Sequence, residues 1–72
     1  MLQKGVGKIS KLAEVRKAMG HTQESLAAMS GVNRVTIARF ETGKASPKLR
    51  TLKRLSKALG VPIDDLIDEK AG

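Results

Sequence analysis

The residues with the clearest chemical potential lie in one stretch, Asn33-Arg34-Val35-Thr36-Ile37-Ala38-Arg39-Phe40-Glu41-Thr42-Gly43. Read as a helix at about 100° per residue, with Ile37 at zero, Phe40 falls at about −60°, Glu41 at about +40° and Asn33 at about −40°. On the same wheel Val35 and Arg39 fall at about 160° and about 200°, flanked by Thr36 and Ala38 at about ±100°. The face opposite the core is therefore small apart from one arginine. Small side chains let a helix approach another surface closely, whereas an ordinary solvated face is richer in Lys and Glu. A guanidinium can donate two hydrogen bonds to a guanine edge, and valine methyls can meet a thymine methyl. The competing reading is a surface helix with an incidental exposed valine.

A second pair of residues suggests an ion pair. Around Leu12, the apolar residues Ile9, Val15 and Met19 fall within about 60° on a helical wheel, and Arg16 falls at about 40°, inside that stripe. Glu41 likewise lies on the inner side of its own helix. A charge on a core face needs a partner, so Arg16 and Glu41 are expected to meet. The alternative is that Arg16 snorkels to the rim.

These residues must be held by short helices punctuated by glycine. Residues 1–8 carry little periodicity and read as a mobile arm. Gly5-Val6-Gly7 is not a nucleotide fingerprint, because no strand precedes it and a third glycine is missing. The first helix spans about 10 to 19, with Ser10 as a candidate cap and Gly20 closing it. Thr22 caps a second helix from about Gln23 to Ser30 that buries Leu26, Ala27 and Met29. Gly31 supplies the turn. Asn33 caps the third helix, which ends at Gly43. Pro47 marks the start of a fourth, with Leu49, Leu52, Leu55 and Leu59 on one stripe and Lys48, Arg50, Lys53, Arg54 and Lys57 mostly off it. Pro62 opens a fifth, short helix with Ile63, Leu66 and Ile67 apolar and Asp64 and Asp65 in its first turn. No alternating strand pattern appears, so the fold class is all-α with five helices.

Composition narrows the chemistry. The 72 residues make one small domain, with Met1 read as a native start. Lys plus Arg number 14 against 7 for Asp plus Glu, a net charge of +7, which favours a polyanionic partner. Trp and Tyr are absent and Phe occurs once, which disfavours modules that stack single-stranded bases on aromatic platforms. Without cysteine there is no disulfide and no thiolate metal site, and a cytoplasmic setting is expected. His21 is the only histidine, read as a turn residue packing on helix two. Asp64, Asp65 and Asp68 read as acids at a helix start rather than a cation site. No catalytic constellation, metal, cofactor or small-molecule ligand is indicated, so an enzyme is not expected. Nothing resembles a membrane span or signal peptide. The Lys-rich fourth helix is not read as membrane-seeking, since its apolar face has to fill the core.

Taken together, Thr22-Gln23-Glu24-Ser25-Leu26-Ala27, Gly31-Val32-Asn33, Ile37-Ala38-Arg39-Phe40-Glu41-Thr42-Gly43, Pro47, Leu52, Leu55 and Ala58-Leu59-Gly60-Val61 resemble the lambda-type repressor and Cro family of helix-turn-helix proteins, also called the Xre family. The way such proteins dock on DNA is typified by phage repressors of this kind, and the resemblance carries that docking geometry with it. It spans about residues 9–68 and leaves 69–72 as a short tail. It implies a compact five-helix bundle in which helix three reads the major groove of double-stranded DNA and helix two lies across the phosphate backbone. It implies a phosphate contact at Gln23 and recognition contacts at Arg34, Val35, Thr36 and Arg39, with Asn33 at the helix start among them. It implies basic or backbone contacts at Lys44, Ser46 and Lys48, and it places the family's core ion pair on Arg16 and Glu41. Lys48 stands where a Ser or Thr cap is usual, so helix four is expected to start at Pro47. His21 replaces an apolar or small residue.

The function implied is sequence-specific DNA binding by a prokaryotic or phage transcriptional regulator, a repressor, acting as a weak homodimer that forms mainly on DNA. The rival is an antitoxin-type protein that binds DNA and also holds a partner protein. The short stretch 68–72 argues against that rival. A sequence-blind DNA binder is disfavoured by the small, differentiated face of helix three.

Overall fold

The computed structural model describes residues 11–67. Four α-helices run in order: α1 (Leu12–Ala18), α2 (Gln23–Ser30), α3 (Arg34–Glu41) and α4 (Leu49–Leu59). A single 3₁₀ turn, Ile63–Asp65, follows. No strand occurs among the described residues. The all-α class is as expected, but the fifth element is not an α-helix. Its bonds run from Asp65 N to Pro62 O and from Leu66 N to Ile63 O, the three-residue spacing of a 3₁₀ turn. The expected arm at 1–8, the Ser10 cap and the tail at 69–72 lie outside the described residues.

Local chemistry explains the helix boundaries. Thr22 Oγ1 accepts from Ser25 N at 2.9 Å while Ser25 Oγ accepts from Thr22 N at 3.0 Å, so each satisfies an otherwise orphaned donor at the start of α2. Asn33 Oδ1 accepts from Val35 N at 2.8 Å and starts α3. Helix α4 begins at Leu49 rather than Pro47. Its cap position is Lys48, in extended backbone and with no side-chain cap bond.

Gly31 ends α2 with φ of 78°, a left-handed conformation that lets the chain turn directly into α3. A Cβ there would lie 3.6 Å from an Arg54 guanidinium nitrogen, an ordinary contact. The effect of Gly31→Ala is therefore backbone strain alone. We expect a loss of about 1–2 kcal/mol, read from the urea midpoint with an unchanged m-value.

The core comprises Leu12, Leu26, Val32, Ile37, Phe40, Leu55, Leu59 and Leu66. Helix α2 packs against both α3 and α4, and α1 packs against α3. Three expected core residues are not buried. Met29 is 52 % exposed, Leu49 61 % and Met19 47 %. Met29 yields its place to Ser30, which sits nearer the centre of the buried face of α2 and whose Oγ accepts from Val32 N at 3.2 Å. Leu49 opens α4 at the edge of its stripe. Met19 follows the end of α1, where Gly20 (φ 82°) turns the chain and helical phasing lapses.

Candidate nucleic-acid interface

Helix α3 presents its two faces to different surroundings. Ile37 and Phe40 are buried. Val35 is 57 % exposed, Arg34 and Arg39 are exposed, and Thr36 and Ala38 are half-buried. The outward surface is therefore low except where Arg39 rises from it, and Arg34 is exposed at the helix start. Asn33 is exposed, with its side-chain oxygen committed to the cap.

The chain beyond α3 is tied back to it. Lys44 N donates to Arg39 O at 2.8 Å and Ala45 N reaches the same carbonyl at 3.3 Å. Thr42 Oγ1 donates to Ala38 O at 3.0 Å. These bonds satisfy carbonyls at the end of the helix and fix the Lys44 backbone against it. The Lys44 side chain is exposed, as are Ser46 and Lys48.

Beneath this surface, Arg16 and Glu41 meet. Arg16 Nε donates to Glu41 Oε2 at 2.7 Å and Arg16 Nη2 to Glu41 Oε1 at 3.1 Å. Their side chains are only 10 % and 6 % exposed. The paired fork is the strong geometry for a guanidinium and a carboxylate. Hydrogen bonding to Glu41 holds the Arg16 guanidinium above its ordinary range, against the opposing effect of burial and with the help of the carboxylate charge. Arg16 Nη1 also donates to His21 O at 2.8 Å, so α1 fixes the turn into α2. The His21 ring packs on α2, with Nδ1 3.2 Å from Ser25 Oγ.

One contact has no clear signal in the sequence. Gln23 Nε2 donates to Glu41 Oε1 at 2.9 Å. Gln23 opens α2 and Glu41 closes α3, eighteen residues apart along the chain. Only the packing angle between α2 and α3 brings them together, and side-chain periodicity does not encode that angle.

Helix α4 adds a second charged surface. Arg50, Lys53, Arg54 and Lys57 are exposed, and the helix contains no acid. Like charges stand at spacings of three or four: Arg50 with Lys53 and Arg54, and Lys57 with Lys53 and Arg54. Such neighbours repel on a helix surface. Among the described residues no group of His, Cys, Asp and Glu is placed to hold a metal, and no helix is long and apolar enough to cross a membrane.

A turn-linked helix pair with a low outward face on its second member is the architecture of a helix-turn-helix domain, and the profile of the helix-turn-helix family matches residues 12–66. The chain belongs to that family. It is 39 % identical over 57 residues to the SPbeta prophage-derived HTH-type transcriptional regulator YonR of Bacillus subtilis, a match covering 79 % of this chain and 53 % of that protein. It is 38 % identical over 60 residues to the cryptic phage CTXphi transcriptional repressor RstR of Vibrio cholerae, covering 83 % of this chain and 54 % of that one. The match thus spans about half the length of either relative. Among solved structures, the restriction-modification controller protein C.AhdI from Aeromonas hydrophila superposes with a TM-score of 0.77 at 33 % identity, covering 82 % of this chain and 91 % of that one.

Proposed function

We propose that this protein is a sequence-specific double-stranded DNA-binding transcriptional regulator of the cytoplasm, acting as a repressor. The observation that carries the proposal is the outward face of α3: small residues with an exposed arginine, on a rigidly capped helix. In this reading Arg39 and Val35 meet base edges, with Arg34 and Thr36 beside them. Asn33 fixes the helix start and lies against the duplex. Gln23, Lys44, Ser46 and Lys48 face phosphates. Relatives named as a phage transcriptional repressor and as a transcriptional regulator support the same reading.

One helix reads only a few base pairs, so the bound form is proposed to be a homodimer that assembles mainly on DNA. Its two α3 helices would occupy half-sites about 34 Å apart. Occupancy over a promoter then excludes polymerase. No catalytic step is part of the proposal.

The test is selection of bound sites from random duplex DNA, followed by titration of the selected and scrambled duplexes at several salt concentrations. We expect a two-fold symmetric site. The logarithm of affinity should fall linearly with the logarithm of salt, by about 0.9 per phosphate contacted. Equal affinity for every duplex at moderate salt would overturn the proposal, and footprints confined to one half-site at saturation would overturn the dimer.

A further inference from the structure

The contact between Gln23 and Glu41 fixes the orientation of an amide at the start of α2, the helix that the proposed function lays across the phosphates. A carboxylate can only accept hydrogen bonds, so the Gln23 group turned toward Glu41 is its NH₂ and not its carbonyl. That assignment follows from the network and leaves no ambiguity between the two ends of the amide. The nitrogen carries two hydrogens. Glu41 accepts one, and the other remains to donate elsewhere. Glu41 is itself held firmly, since both of its oxygens accept from Arg16. The anchor is thus tied through both oxygens on the side of α3, and Gln23, half-buried, is bonded to it from the first position of α2.

We infer that Glu41 is a positioning residue for phosphate binding: it holds the Gln23 amide so that the second N–H is presented to a backbone phosphate of the duplex that α3 reads. The inference rests on the proposed function and adds a role to a residue buried beneath the interface. A donor already locked in its binding rotamer loses little side-chain freedom when the phosphate arrives. The same pinning ties the α2 phosphate contact to the end of the reading helix, so that the two are set as one rigid unit.

The test uses the full chain and a selected duplex in which single phosphates are replaced by methylphosphonate, one position at a time. Wild-type protein should weaken at each contacted phosphate, and one of these per half-site should be the Gln23 position, with a loss of about tenfold, the effect of one charge-assisted hydrogen bond. Gln23→Met keeps the Arg16–Glu41 pair and removes the donor, and should abolish sensitivity at that phosphate alone. Glu41→Asp keeps a carboxylate near Arg16 but, one methylene shorter, draws back the oxygen that Gln23 and Arg16 Nη2 share. It should abolish most of the same sensitivity while the other phosphates respond as in wild type.

Uniform weakening at every phosphate by Glu41→Asp, with the Gln23-dependent position still responding, would overturn the inference and leave the proposed function standing. Should Glu41→Asp not fold, the side-chain amide protons of Gln23 in wild-type protein decide the matter by NMR. The inference requires one proton to be displaced in the free protein and the other to shift on adding DNA. Both protons at the shifts of a solvent-exposed glutamine in the free protein, or neither moving on adding DNA, would overturn it, whether or not binding is sequence-selective.

Discussion

Replacing Arg16 by alanine should remove a large share, about half, of the domain's stability. The substitution strands Glu41 with 6 % of its side chain exposed and removes both guanidinium bonds to it. It also frees the His21 carbonyl from its partner. Removing one member of a buried pair costs about 3–5 kcal/mol, because the remaining charge stays desolvated. At about 0.05–0.15 kcal/mol per residue, a domain of this size has only about 4–11 kcal/mol in total.

Glu41→Ala should be of similar size, and it releases Gln23 as well. The double variant should lose less than the two single losses added together, and the difference is the coupling between the charges. Glu14→Ala, on the exposed side of α1, is the control and should change stability by less than about 0.5 kcal/mol. Urea unfolding of wild type and the four variants measures all of this. A coupling of zero would mean the pair contributes nothing as a pair. On the arginine side the sign is clear: a folded-state pKa raised above its ordinary value supplies stability at every pH below that value. This contribution is lost only in strong alkali, and it is complete at neutral pH.

The second large effect separates reading from holding. Arg39 and Lys44 carry the same charge and both are exposed, so simple electrostatics predicts equal losses when either is removed. Position predicts otherwise. Arg39 projects from the outward face of α3 among small neighbours, whereas Lys44 lies past the helix end on a backbone tied to the Arg39 carbonyl. Arg39→Ala should weaken binding to the selected site by about 1–3 kcal/mol, do much less on scrambled DNA, and relax preference at one base pair. Lys44→Ala should weaken both duplexes about equally and reduce the salt slope by about one unit. Val35→Ala should lose less than Arg39→Ala, and chiefly where the site offers a thymine methyl. Parallel losses for Arg39→Ala and Lys44→Ala on both duplexes would show that α3 is not the reading element.

What the sequence discloses depends on how local the determining physics is. The caps at Thr22 and Asn33 are set within three residues and are legible from residue type. The buried Ile37 and Phe40 and the exposed Val35 and Arg39 follow from a single helical period. Met29 and Leu49 depart from expectation because a wheel shows which side of a helix is apolar but not how wide a strip its neighbours cover. The strip on α2 centres between Leu26 and Ser30, and a small polar residue fits there in place of the methionine. The last element departs because a proline, two acids and three apolar residues suit one 3₁₀ turn as well as an α-helix. Resemblance alone directs the Gln23 amide outward to a phosphate, and its inward bond to Glu41 depends on the crossing of two helices.

The run of cations on α4 has a consequence for the life of the unbound protein. With like charges adjacent along the helix and no acid between them, the free domain folds against its own repulsion. Bound DNA, by mass action, adds stability that grows with the logarithm of DNA concentration over Kd. Local opening, and with it cleavage by cellular proteases, is therefore most frequent in molecules that have found no site. On this account a regulator built in this way would be cleared fastest when it is in excess of its operators, so that its standing level follows the number of sites it has to fill.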